Sequence, residues 1–154
     1  MSAAAQTMTP VSRVHIPTEF SPACCDGAPF LPESVIASAP EILKGQVSDA
    51  EWSVAMRHLQ TITMEGVPSH CTQFSLRFFF GLCGAICIGN KYDELIERLT
   101  VAVKEINTQI FTPKGLYMAL QCVDAGCCSA GKNVLVLALT PEESKILQQE
   151  GGIH

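Results

Sequence analysis

The residues with the widest choice of chemistry are the cysteines, of which the chain has eight. They stand at positions 24, 25, 71, 83, 87, 122, 127 and 128. Cysteines at this density form disulfides in oxidising compartments, whereas inside cells they pack in cores, bind metal or carry acyl chains. Met1 to Met8 lack the positive region and the apolar run of a secretory signal, so we expect a cytosolic chain with reduced cysteines.

The spacing of the cysteines gives little support to a metal site, because zinc ligands usually follow C-x₂₋₄-C or H-x₃₋₅-H patterns. Three pairs are vicinal, namely Cys24-Cys25, His70-Cys71 and Cys127-Cys128. Cys83 and Cys87 come near a ligand spacing, but they lie inside an apolar run that would have to accept a charged site. We expect no metal and no cofactor, with a soluble cysteine-rich thiol or zinc protein as one alternative.

No sequence motif predicts catalysis. Neighbours such as His70 and Cys71 rarely turn their side chains towards one another, and catalytic partners usually meet from distant parts of a fold. The sequence has no phosphate loop of the G-x-x-x-x-G-K-S/T kind, no G-x-S-x-G elbow and no Asp-His-His-Cys stretch. We therefore expect a protein that is not an enzyme and has no catalytic residue.

The charge balance also bears on partners. A net charge of −5 with only ten Lys and Arg residues leaves no basic stripe for phosphates, so we expect no nucleic acid ligand. Charged residues make up 16% of the chain, against about 25% in average soluble domains. Part of the surface is therefore expected to meet lipid or a protein partner.

The segment Phe74 to Gly89 is strongly apolar, and its only charge is Arg77. As a helix it would extend about 24 Å, which is short of the roughly 30 Å hydrocarbon core of a bilayer. We expect it to embed in the cytosolic leaflet without spanning, and a buried core helix is the alternative. The residues expected to embed are Phe74, Leu76, Phe78, Phe79, Phe80, Leu82, Ile86 and Ile88.

Cys83 and Cys87 are the candidate lipidation sites of this segment. Their i,i+4 spacing places both thiols on one face of a helix. A thioester-linked acyl chain adds roughly 0.8 kcal/mol per buried CH₂, and stable anchoring generally takes two signals. The bland alternative is that both are small buried hydrophobic residues.

Ser48 and Glu51 have the spacing of a capping box, which predicts a helix start at Ser48. Trp52 begins an apolar stripe at helical spacing that ends at Gly66, and we interpret Trp52 as a core residue. Before this helix, alternation around Val14-His-Ile16 predicts an edge strand. The proline-rich stretch Ser21 to Pro40 is expected to be an irregular loop.

A second amphipathic helix is predicted over residues 91–111, with Glu94 and Arg98 as an i,i+4 ion pair. Residues 116–123 and 133–139 are predicted as a β-hairpin, and Thr140-Pro141 begins a short terminal helix. The predicted fold class is α+β: a small antiparallel sheet made of the edge strand and the hairpin, amphipathic helices and one apolar membrane-embedded helical segment. We divide the chain into a disordered tail (1–12), a domain (13–140) and a terminal helix with its tail (141–154).

Taken in order, these elements resemble the golgin subfamily A member 7 and Erf-four family, which includes the cysteine-rich hydrophobic domain proteins. The most telling stretch is Tyr92-Asp-Glu-Leu-Ile-Glu followed by Asn107-Thr-Gln-Ile-Phe-Thr-Pro-Lys-Gly-Leu116. The likeness covers roughly residues 13 to 141. By position, Cys83 and Cys87 correspond to the family's acylated cysteines and Asn107 to its helix-end asparagine.

The resemblance implies a non-catalytic accessory subunit that binds and stabilises an Asp-His-His-Cys-type protein S-palmitoyltransferase. It implies a peripheral membrane protein on the cytosolic face of the Golgi apparatus or endoplasmic reticulum. The family also includes palmitoylated peripheral adaptors of vesicle or Golgi-to-surface trafficking, which is a second alternative. Cys24-Cys25 and the loop around Cys127-Cys128 depart from the golgin branch, so the branch stays open.

Overall fold

A computed structural model describes residues 12–18, 30–66, 92–123 and 132–150 of the chain. Within these ranges it forms three strands and four helices. They are β1 (Arg13–Ile16), α1 (Glu33–Ala37), α2 (Asp49–Gly66), α3 (residues 92–106), β2 (Tyr117–Val123), β3 (Lys132–Ala138) and α4 (Pro141–Glu150). Short helical turns lie at Glu41–Leu43, Asn107–Phe111 and Thr112–Lys114.

The sheet is antiparallel with strand order β1-β3-β2, so the last strand in the sequence lies at its centre. Leu137 of β3 lies opposite Val14 of β1 and Met118 of β2. Because successive side chains of a strand alternate between the two faces, Leu135 and Leu137 share one face while Val136 and Ala138 share the other. All four of these β3 residues are buried, so each face of the sheet must be covered by helices.

The main hydrophobic core lies between one face of the sheet and the helices α1, α2 and α3. Its largest fully buried side chains come from both layers: Leu43, Trp52, Met56, Leu59, Leu95, Leu99, Phe111, Met118, Leu135 and Leu137. Burial of a large apolar side chain contributes about 1.5–3 kcal/mol, so these residues dominate the stability of the domain.

Helices α2 and α3 run antiparallel, because the end of α2 contacts the beginning of α3 and Trp52 at the start of α2 contacts Phe111 after α3. A Cβ at Gly66 would lie 2.5 Å from Leu95 Cδ1, so the end of α2 meets the first described turns of α3 so closely that a side chain at position 66 would force Leu95 to move. Arg98 of α3 contacts Glu65 of α2, with Nη2 and Oε2 3.2 Å apart. The predicted ion pair of Arg98 with Glu94 along the helix is therefore wrong.

Helix α4 packs on the other face of the sheet. Its Leu147 is fully buried and forms a small second cluster with Ala119, Val136 and Ala138. The helix begins at Thr140, whose Oγ1 accepts from the backbone N–H of Glu143 at 3.3 Å, and Pro141 occupies the first helical position. The start predicted from the sequence is confirmed.

The prediction for Ser21 to Pro40 also needs a correction, because Glu33–Ala37 forms the short helix α1 within it. Pro32 at its N-cap has no N–H to leave unpaired, and Pro32 O accepts from the N–H groups of Val35 and Ile36. Trp52 Nε1 donates to Val35 O at 2.7 Å, which ties α1 to α2. A helix of five residues is too short for hydrophobic periodicity to reveal.

The predicted fold class is wrong in one part. The α+β class and the small antiparallel sheet are present, but the membrane-embedded helical segment is not a component of the architecture that the structure supports. No helix in the described ranges is long and apolar enough to cross a membrane. Phe74 to Gly89, to which the prediction assigned that helix, falls in the gap between residues 66 and 92 and lies outside the described residues.

Candidate functional site

The four residues predicted to have structural roles converge on one end of the helical layer. Ser48, Glu51 and Trp52 begin α2, and Asn107 begins the last turns after α3. Because α2 and α3 run antiparallel, the start of one lies beside the end of the other. We call the set Ser48, Glu51, Trp52, Asn107, Phe111 and Lys114 the helix-end joint.

The first part of the helix-end joint is the capping box of α2. Glu51 N–H donates to Ser48 Oγ at 3.2 Å, and Ser48 N–H donates to Glu51 Oε2 at 3.0 Å. These reciprocal bonds satisfy two N–H groups that a helix start otherwise leaves unpaired. The sequence pattern therefore predicts the local geometry correctly.

The same carboxylate joins α2 to the end of the α3 region. Lys114 Nζ donates to Glu51 Oε2 at 2.7 Å across 63 positions of sequence. This bond from Lys114, followed by those from the Ser48 backbone and hydroxyl, lowers the pKa of Glu51 from 4.5 to about 2. The carboxylate is thus kept ionised by three donors from two parts of the chain.

We expect the stability contributed by Glu51 to depend on pH in the acidic range. Because the folded-state pKa is lowered, this contribution is complete above the unfolded value near 4.5 and is lost as pH falls towards about 2. In urea unfolding at pH 7, the wild type should have a higher midpoint concentration of urea than Glu51→Gln. This difference should shrink as the pH falls from 4.5 towards about 2. Glu105→Gln, on the exposed side of α3, is the control. If the urea midpoints of the wild type and Glu51→Gln changed with pH in the same way, the lowered pKa of Glu51 would be contradicted.

The end of the α3 region has an unusual geometry. Residues Asn107–Phe111 form a π turn, in which the Thr112 N–H donates to Asn107 O. Pro113 follows at the next turn, where it has no N–H to donate and its ring crowds the carbonyl four residues earlier. The proline thus removes one α-helical hydrogen bond directly after the π turn, where the helix widens by one residue.

The helix then stops in a Schellman motif. Leu116 N–H donates to Phe111 O and Gly115 N–H donates to Thr112 O, both at 3.0 Å. Gly115 has φ +74°, a conformation that glycine adopts without strain. Leu116 and Phe111 are both buried, which supplies the hydrophobic contact that accompanies this motif.

Asn107 connects this widened turn to the sheet. Its Nδ2 donates to Met118 O at 2.7 Å, and Met118 N–H donates to its Oδ1 at 2.8 Å. The side-chain amide thus pairs with the outer edge of β2 as a neighbouring strand would. The resemblance makes Asn107 a helix-end asparagine, and the structure places both of its bonds on Met118 inside β2.

Trp52 and Phe111 close the helix-end joint from the core side. Their rings meet edge to face, with centroids 6.3 Å apart and planes inclined by 66°. Both side chains are fully buried. The predicted core role of Trp52 is confirmed, and the helix-end joint is packed as well as hydrogen-bonded.

The predicted lipidation residues Cys83 and Cys87 lie outside the described residues, as do the eight residues predicted to embed in a membrane. Among the cysteines, Cys122 in β2 is described, and it is free and exposed. No group of three or more His, Cys, Asp or Glu residues suited to a metal ion occurs in the described ranges. The functional chemistry that the sequence predicts therefore stays a prediction.

No family model, no curated protein and no solved structure matches the chain. The helix-end joint is thus interpreted from its own geometry. Sequence reasoning missed Phe111, Lys114 and Met118 as members or contacts of this joint. Phe111 had a detectable signal, since Pro113 two residues later disturbs the helical register, but neither Lys114 nor Met118 stands out in any local pattern.

Proposed function

We propose that this chain is a non-catalytic accessory subunit that binds and stabilises an Asp-His-His-Cys-type protein S-palmitoyltransferase. Its proposed place is the cytosolic face of the Golgi apparatus or endoplasmic reticulum. The observation that supports this most is the position of Asn107, which is 3% exposed and bonded through both amide atoms to Met118. Asn107, which the family resemblance singles out, is thus one of the buried residues that connect the helical layer to the sheet.

Three other residues of the stretch Asn107 to Leu116 also have structural roles. Phe111 packs on Trp52, Lys114 pairs with Glu51, and Gly115 ends the helix. Each of these residues holds α2, the α3 region or the sheet in a fixed relation to another. Such rigidity suits a subunit that stabilises a partner, because a preorganised surface loses less conformational entropy on binding.

The outer face of α2 is the proposed contact with the enzyme. Val54 is 67% exposed and Met64 is 61% exposed, the highest values for large apolar side chains in the described ranges. Ten residues of helix place them about 15 Å apart along the axis and about 80° apart around it. Single exposed apolar residues are ordinary, but two on the exposed side of one helix offer a surface that a partner would bury.

Co-expression of the tagged chain with Asp-His-His-Cys enzymes tests the proposal. After mild detergent solubilisation, we expect the wild type to retain an acyltransferase identified by mass spectrometry. Val54→Asp should reduce the amount retained at least about tenfold, because burying an unpaired charge at an interface costs more than about 1.4 kcal/mol. The thermal midpoint of the isolated chain should stay the same.

Val101→Asp is the matched control, since Val101 is 51% exposed on α3 rather than α2. Equal retention by Val54→Asp and the wild type would exclude the α2 surface but not the function. Failure of the wild type to retain any acyltransferase would exclude the function itself. An acylated chain without such a partner would instead favour the palmitoylated adaptor of vesicle trafficking.

A further inference from the structure

Helix α4 is attached to the sheet by little apolar surface. Leu147 is its one fully buried apolar side chain, and the neighbouring Ile146 is 44% exposed. Leu147 packs with Ala119, Val136 and Ala138, and Tyr117 and Val134 are partly buried against this small cluster. Removal of α4 would therefore expose less apolar surface than removal of α2 or α3, which both contribute several buried side chains to the main core.

Charged and polar groups provide the rest of the attachment, at both ends of the helix. In the first turn, Glu143 is 8% exposed, and its Oε1 accepts from Arg13 Nε of β1 at 2.5 Å. In the last turn, Glu150 Oε2 lies 3.6 Å from Arg13 Nη1. The same oxygen accepts a hydrogen bond from Gln121 Nε2 of β2 at 2.7 Å. Arg13 thus holds both ends of α4 from one edge strand.

The sheet itself does not depend on α4. Its opposite face carries Leu135, Leu137 and Met118, all buried in the main core, and β3 pairs with both other strands. Asn107 additionally fixes β2 to the helical layer. The interactions that hold the sheet in place therefore stay intact when α4 leaves.

We propose that α4 is a latch that opens as a unit while the main core stays folded, and that Arg13 controls its opening. The opened state bares an apolar strip of the sheet around Val136, with Arg13 beside it. This strip fits a partner helix with the pattern of α4 itself, namely one central leucine between two carboxylates. Segments with few buried apolar contacts are the ones that open below the free energy of global unfolding.

Hydrogen exchange measured by mass spectrometry on the full chain tests the opening. In Arg13→Met, amides of residues 143–150 should exchange at least about tenfold faster than in the wild type, while those of residues 134–138 keep their rates. Raising the salt concentration should speed α4 exchange in the wild type more than in Arg13→Met, because salt screens the half-buried ion pairs.

Arg57→Met is the control, because Arg57 makes an ion pair with Glu33 of α1 at 2.6 Å and leaves α4 untouched. Leu147→Ala is the second variant and should accelerate the same amides without involving β1. Exchange of α4 and β3 at one common rate, or equal effects of Arg13→Met and Arg57→Met, would overturn the latch.

A peptide of residues 140–150 probes the strip. A fluorescent label should report binding to the Leu147→Ala chain at least about tenfold tighter than to the wild type, since the competent state is more populated. The peptide carrying Leu147→Asp should not bind. Equal affinity of the native peptide for both chains would overturn the proposed docking of a helix on the opened sheet.

Discussion

Replacing Asn107 with alanine is expected to destabilise the domain by about 3 kcal/mol. The side chain is 3% exposed and Met118 is fully buried, so the change leaves a buried N–H and a buried C=O of Met118 without partners. An unpaired buried polar group costs about 1–3 kcal/mol, and the lost volume adds a cavity term. Urea unfolding monitored by circular dichroism measures the change.

Two further variants separate this account from a general sensitivity of the helix end. Thr108→Ala alters the exposed next position and should shift stability by less than about 0.5 kcal/mol. Asn107→Asp keeps an acceptor for Met118 N–H but turns an oxygen towards Met118 O, so it should be as damaging as alanine at neutral pH. A loss below about 1 kcal/mol in Asn107→Ala would refute the structural role.

The double variant Cys83→Ser/Cys87→Ser is expected to move the chain from the membrane fraction to the soluble fraction, or to cause its degradation together with its partner. Both thiols are predicted acylation sites from their i,i+4 spacing in the apolar sequence. One acyl chain gives only marginal, reversible membrane binding, whereas two give stable anchoring. Each single variant should therefore stay partly membrane-bound.

Hydroxylamine-sensitive acyl exchange on the wild type and both single variants reports the thioesters directly. Cys24→Ser/Cys25→Ser is the matched control, because it also removes two cysteines but should retain the label. A wild type without thioester, or a label mapped to Cys24, Cys25, Cys127 or Cys128, would return Cys83 and Cys87 to the role of packed hydrophobic residues.

Local patterns account for the parts of the fold that sequence reasoning predicts well. The bonds of the capping box join Ser48 and Glu51, three positions apart, so their spacing alone determines the geometry. The hairpin strands follow from their apolar character, and their bounds differ from the prediction by a single residue. The apolar stripe that begins at Trp52 also follows from a local pattern, because helical periodicity places its residues on one face of α2, which is buried.

The helix-end joint was harder to predict because it joins positions far apart in the sequence. A regular helix would bury Ile110 after Ile106, yet the π turn advances the register by one residue, so Phe111 is fully buried and Ile110 only partly. The sequence likewise predicts an ion pair of Arg98 with Glu94 on the same helix, but the antiparallel packing of α2 and α3 pairs Arg98 with Glu65. Such choices depend on tertiary packing, which no local pattern records.

The central position of β3 has a consequence for the order in which the sheet assembles. A nascent chain that already contains β1 and β2 has no sheet to form, because neither strand pairs with the other and both require β3. Once β3 is synthesised, the hairpin with β2 closes a short loop, whereas Arg13 must find Ala138 across nearly the whole described chain. Closing long loops is entropically slower, so β1 joins last. Until β1 joins, the edge of β3 that will pair with β1 stays open. The newly made chain is therefore most vulnerable to intermolecular strand pairing at that stage.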